Sequence, residues 1–145
     1  MPKHALLSAS GASRWLLCPP SVKLELEFPK TTSIYAEEGT AAHELCELSA
    51  SYWLGKISET DYENKLTEFK KNKFYNEEMH ECATSYAEFV RKTYDEIKAS
   101  CPDAIAELEV EGLDFSDWAP EGFGTGDCVI VADDLLEIID FKYGK

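Results

Sequence analysis

Residues 126–142 read Gly-Asp-Cys-Val-Ile-Val-Ala-Asp-Asp-Leu-Leu-Glu-Ile-Ile-Asp-Phe-Lys, and their reading decides the fold. Two short apolar runs, Cys128 to Ala132 and Leu135 to Phe141, flank the pair Asp133-Asp134. That is the length and punctuation of a β-hairpin with a two-residue loop. With Asp133 and Asp134 as the loop, Ala132 faces Leu135, and each step back along one strand meets one step forward along the other. Asp127 then lies opposite Asp140. Directly opposed residues share a face with Cβ atoms roughly 4.5–5.5 Å apart. Lys142 stands two residues beyond Asp140 and projects from that same face. The register thus gathers two carboxylates and an ammonium group at one end of a ribbon.

Two like charges opposed on a sheet destabilise it unless something intervenes. A divalent cation resolves the conflict: Mg²⁺ takes carboxylate oxygens and keeps waters that a phosphate can displace. A lysine beside it can hold a phosphate oxygen or assist an attacking water. The spacing fits a plainer arrangement equally well, in which Asp127 ends a turn and Asp140 pairs with Lys142 or Lys145 as solvated charges.

Outward from the hairpin, the chain changes period. Residues 104–113 alternate, with Ala106, Leu108 and Val110 on one face and Glu107, Glu109 and Glu111 on the other, as in a strand. A turn-rich stretch, 114–126, separates it from the hairpin. Residues 1–103 read as mainly helical. Ser10 or Ser13 is placed to cap a short helix through Arg14–Leu17, which the prolines at 19 and 20 end. A helix from about Ala36 to Leu54 carries Ala42, Leu45, Cys46, Ser49, Tyr52 and Trp53 at helical spacing, with Gly55 as its stop signal. Ser58 with Asp61 resembles a capping box for a helix through Leu66 and Phe69. Asn76 caps a further helix whose apolar stripe is Met79, Cys82, Ala83, Tyr86, Phe89, Val90, Thr93 and Ile97. The expected architecture is a single α/β (α+β) domain over 1–145, with helices over 1–103 packed on a sheet of about three strands over 104–145.

Composition bounds the function. At 145 residues the chain is long enough for a real core. Its 28 acidic and 14 basic residues give a net charge of −14. That argues against unaided nucleic-acid binding, because lysines and arginines normally displace the counterions of phosphates. No apolar run approaches the ~20 residues of a membrane span, and none reads as a signal peptide, so a cytoplasmic protein is expected. The five cysteines include no CxxC pair and read as reduced thiols.

Four blocks together carry a resemblance. Gly126-Asp127, a strand, a turn and then Ile139-Asp140-Phe141-Lys142 resemble the two signature blocks of PD-(D/E)xK nucleases. Glu38-Gly39-Thr40-Ala41-Ala42-His43-Glu44 resembles the helical block of the RecB-type branch. With Ser13-Arg14-Trp15-Leu16-Leu17-Cys18-Pro19 and Val110–Ser116, they resemble an uncharacterised phage-associated family within that branch.

The resemblance implies a restriction-endonuclease-like core and metal-dependent hydrolysis of DNA with Mg²⁺ or Mn²⁺, in a bacterial host cell. It implies His43, Asp127 and Asp140 as metal ligands, with the main-chain carbonyl of Phe141 and, on the first strand, Glu111 or failing that Glu109. Lys142 becomes the catalytic lysine, beside Asp127 and Asp140. Some relatives hold an iron–sulfur cluster through one N-terminal and three C-terminal cysteines; Cys18 lacks those partners, and no cluster is expected. Lys70, Lys71 and Lys73, interleaved with Phe69, Phe74 and Tyr75, read first as a solvated helix end and second as candidates for a DNA backbone.

The family's fold continues past the DxK block with another helix and strand, whereas this sequence ends three residues after Lys142. An incomplete nuclease core is therefore one expectation. The other is an acidic, anti-CRISPR-like inhibitor that occupies the basic nucleic-acid groove of a host defence nuclease, steered there by charge.

Overall fold

The computed structural model describes residues 6–8, 11–29 and 32–144. Among these run five helices, α1 (Ala12–Leu17), α2 (Ser21–Leu26), α3 (Ile34–Trp53), α4 (Glu59–Phe69) and α5 (Glu77–Ser100), followed by three strands, β1 (Ile105–Asp114), β2 (Phe123–Ala132) and β3 (Leu135–Ile139). The sheet order is β1-β2-β3, so the fold is mixed helix and antiparallel sheet. Contacts divide the chain into two units, Met1–Thr32 with Val110–Thr125, and Ser33–Glu109 with Gly126–Lys145.

In the first unit, α1 and α2 are joined by the Arg14–Glu25 ion pair, 2.8 Å, and the Trp15 indole donates to the Ser8 carbonyl at 2.9 Å. The α1 helix begins at Gly11 as its cap. Ser13 lies inside it, and Ser10 falls outside the described residues. The prolines do end α1, but Pro20, with φ −62°, is itself the cap of a second short helix that periodicity did not announce. A turn closed by the Gly122 N–H on the Ala119 carbonyl, 2.7 Å, follows β1. A Cβ at Gly122 would stand 2.6 Å from that carbonyl oxygen, so only glycine fits.

The second unit holds the larger core. Three helices start on capping side chains. Ser33 accepts the Ala36 N–H, Ser58 accepts the Asp61 N–H and Asn76 accepts the Met79 N–H at 2.8 Å. Each satisfies a donor the helix would otherwise leave orphaned. Gly55, with φ +73°, follows α3 in the left-handed conformation that ends helices.

The α3 helix buries Ala42, Leu45, Cys46, Ser49 and Ala50 against Met79, Ala83, Tyr86, Ala87 and Val90 of α5. The stripe on α5 is rotated slightly from the sequence pattern: Ala87 is buried and Phe89 faces solvent. Small residues at the contact let the two helices approach closely. Beneath them, Ala106, Cys128, Ile130, Ile139 and Phe141 complete one cluster. Burying Leu45, Met79, Ile130 or Val90 contributes about 1.5–3 kcal/mol each.

The hairpin has the predicted register, from Ala132↔Leu135 through Cys128↔Ile139. Asp133 turns the chain with φ +40°, which the two-residue loop demands at its first position. Because Ile139 and Phe141 point into the core, the intervening Asp140 and the following Lys142 point out. β2 starts five residues earlier than its apolar run, at Phe123, since backbone pairing there does not require apolar side chains.

Candidate metal centre

Asp127 sits where the β2–β3 ladder ends. Beyond the last pair, Cys128↔Ile139, the Phe141 N–H has no carbonyl in the ladder and donates instead to Asp127 Oδ2 at 2.7 Å. The other carboxylate oxygen, Oδ1, lies 3.4 Å from His43 Nδ1. His43 comes from α3, three residues before the buried Cys46, on the border between the packed face and solvent. Its ring meets Phe141 edge-on, centroids 5.4 Å apart. Phe141 thus fixes both partners, Asp127 through its N–H and His43 through its ring.

Glu109 completes the group. Potential ligand atoms of His43, Glu109 and Asp127 all lie within 4.8 Å of one another, and among the described residues no other set of three histidine, cysteine or acidic side chains does so. Strict alternation along β1 would send Glu109 to the same side as the exposed Glu107, which pairs with Lys56 at 3.0 Å. The backbone breaks that alternation: Glu109 has φ +48°. For a residue with a Cβ the left-handed region costs of order 1–3 kcal/mol. Such strain commonly sits at functional sites.

The charges respond to this arrangement. The hydrogen bond to Asp127 raises the His43 pKa above 6.5; burial opposes it, Asp127 and Glu109 charges add to it, and Lys142 subtracts from it. Burial pushes Asp127 up, yet the His43 bond, the Phe141 N–H and the positive charges of His43 and Lys142 outweigh that, and the net direction is down. His43 and Asp127 therefore reinforce each other as an ion pair. Burial raises the thiols of Cys46 and Cys128, the latter to about 11, so both are inert packing groups. All five cysteines are free.

The donor set suits a small divalent cation. Ligands about 2.1 Å from an Mg²⁺-sized ion lie about 3.0 to 4.2 Å apart, so atoms within 4.8 Å of one another would draw closer to share one ion. One imidazole and two carboxylates are a nitrogen and oxygen donor set without a thiolate.

The remaining candidates are placed differently. Asp140 and Lys142 form an ion pair with each other, 2.7 Å, and both are exposed; Lys142 nonetheless contributes its charge at His43 and Asp127. Lys145 falls outside the described residues. Glu111 is an exposed residue of β1, and Glu109, the second choice from sequence, is the acid that meets His43. Lys71 pairs with Glu68 and Lys73 with Glu37. Lys70 and Lys73 also lie over the rings of Tyr75 and Phe74, at 5.8 and 4.6 Å. A groove of about 590 Å³ runs between α3 and α4 past Glu44, Glu47, Leu48 and Phe69 and includes none of His43, Glu109 and Asp127.

No solved structure matches this chain. A family model described as a protein of unknown function (DUF2800) matches residues 4–145, and the chain belongs to that family.

Proposed function

We propose that this chain is the metal-binding part of a phage-encoded, RecB-type nuclease domain that hydrolyses DNA phosphodiesters. The observation that carries the reading is the convergence of His43, Glu109 and Asp127 on one point, from a helix and two strands, with one of the three held in strained backbone. Such convergence is costly in like charge and strain, and a cation offsets both. Mg²⁺ or Mn²⁺ there supplies Lewis acidity toward a phosphoryl oxygen and charge to favour an ionised water.

His43, Glu109 and Asp127 would hold the cation, with Asp140 and the Phe141 carbonyl as further ligands. Lys142, now paired with Asp140, would turn to the phosphate and neutralise the charge that develops on it. The test is cleavage of single- and double-stranded DNA. Cleavage is expected with Mn²⁺ or Mg²⁺, lost with a chelator and reduced roughly 10²-fold or more in Lys142→Ala. A chain that binds Mn²⁺ and leaves both substrates intact contradicts the nuclease reading.

A second reading rests on charge. The net charge is −14, and Lys71 and Lys73 are engaged by carboxylates of the chain itself, leaving little to meet phosphates. In this reading the protein is an acidic inhibitor of a basic host nuclease. It predicts tight binding to such a partner that weakens steeply with salt and survives Asp140→Ala. Binding lost on Asp140→Ala, or insensitive to salt, removes it.

A further inference from the structure

Tyr86 stands on α5 among the buried core residues, 9% exposed. Its hydroxyl oxygen is shielded from solvent and has no hydrogen-bond partner. Burying a hydroxyl without a partner is unfavourable, so an orphan of this kind asks for a reason. Phenylalanine would fill the same volume without that cost.

The ring position supplies the reason. Tyr86 packs edge-on against Phe141, centroids 5.3 Å apart, and His43 packs edge-on against the same ring at 5.4 Å. Phe141 is also the residue whose N–H holds Asp127. The Tyr86 and His43 rings therefore share Phe141 as a common neighbour. An unpartnered phenol keeps its O–H free to donate.

We infer that Tyr86 is a positioning residue of the cation site, its hydroxyl donating a hydrogen bond into the His43–Glu109–Asp127 group when a divalent cation fills it. The inference rests on the metal reading given above. Without the cation, the His43–Asp127 bond occupies the carboxylate facing the imidazole. A cation would be held by the neutral imidazole and the two carboxylates, and the phenol would offer one of those carboxylates a hydrogen bond in a low-dielectric setting, where such bonds are strong. Outer-shell partners of this kind typically change metal affinity by 10–100-fold.

The test compares wild type with Tyr86→Phe by Mn²⁺ calorimetry and by thermal unfolding with and without Mn²⁺. Without metal, Tyr86→Phe is expected to melt at or above the wild-type temperature, because it removes an orphan rather than a contact. With Mn²⁺, its Kd is expected to rise roughly tenfold and its metal-induced gain in Tm to shrink. Equal Mn²⁺ affinity in the two proteins overturns the Tyr86 assignment alone. A variant that melts lower without metal and keeps its full gain with metal makes Tyr86 a packing residue and also overturns it. Wild type that does not bind Mn²⁺ overturns the metal reading and this inference together.

Discussion

His43 and Asp127 make a titratable pair whose pH dependence has a definite sign. A histidine whose folded pKa is raised above 6.5 adds stability that is complete below that value and is lost as pH rises through the raised one. An aspartate lowered from 3.8 adds stability present above that value and lost as pH falls through the lowered one. The pair therefore contributes most between about pH 4 and 6.5. His43→Gln keeps a neutral donor but cannot charge. Its deficit should be about 1 kcal/mol, or ~3 °C in Tm, within that window, given partial exposure, and should close at pH 8 to 9. A deficit that is constant with pH, or larger at pH 9, contradicts the pairing. Asp127→Ala does more, since it also orphans the Phe141 N–H, and about 1–3 kcal/mol of destabilisation is expected at pH 7.

At the scale of elements, the left-handed Glu109 in β1 costs stability where an acid comes near His43 and Asp127. Glu109→Gly removes a side chain from a conformation that only glycine adopts freely. Relief of about 1–3 kcal/mol of strain is partly cancelled by the entropy glycine adds to the unfolded chain. Mn²⁺ affinity should fall at least tenfold in this variant; an unchanged affinity would remove Glu109 from the ligand set.

The same element shows what was legible in the sequence. The two-residue loop and alternating apolar pattern set the hairpin register, because a slip of one residue would turn Cys128 and Ile130 out of the core. The capping residues Ser58 and Asn76 were equally readable, since their chemistry is local. What the register could not reveal was where the acidic side chains go. Asp140 alternates outward onto Lys142, whereas Asp127, at the end of the ladder, is claimed by Phe141 and His43. Glu109 stood behind Glu111 among alternating glutamates because its positive φ carries no glycine to announce it. Tyr86 read as one apolar residue of a stripe, since burial and an unmet hydroxyl look alike in sequence.

At the scale of the whole molecule, charge and the uncovered sheet face dominate. A net charge of −14 opposes compaction. Shortening the screening length from about 30 Å at 0.01 M salt to about 8 Å at 0.15 M should raise Tm by a few degrees; a Tm that falls over that range contradicts this. Val131 and its cross-strand partner Leu136 are both exposed, as is Ile138 on the edge strand β3. Leu136→Lys should cut binding of an apolar dye and leave Tm nearly unchanged. No helix among the described residues is long and apolar enough to cross a membrane. The account as a whole stands on His43, Glu109 and Asp127 holding a divalent cation, and Mn²⁺ calorimetry on wild type and Asp127→Asn tests that most directly. The asparagine keeps an oxygen for the Phe141 N–H while removing the charge. One Mn²⁺ per wild-type chain, with binding lost in Asp127→Asn, is the expected result; no binding by wild type, or equal binding by both, contradicts the account.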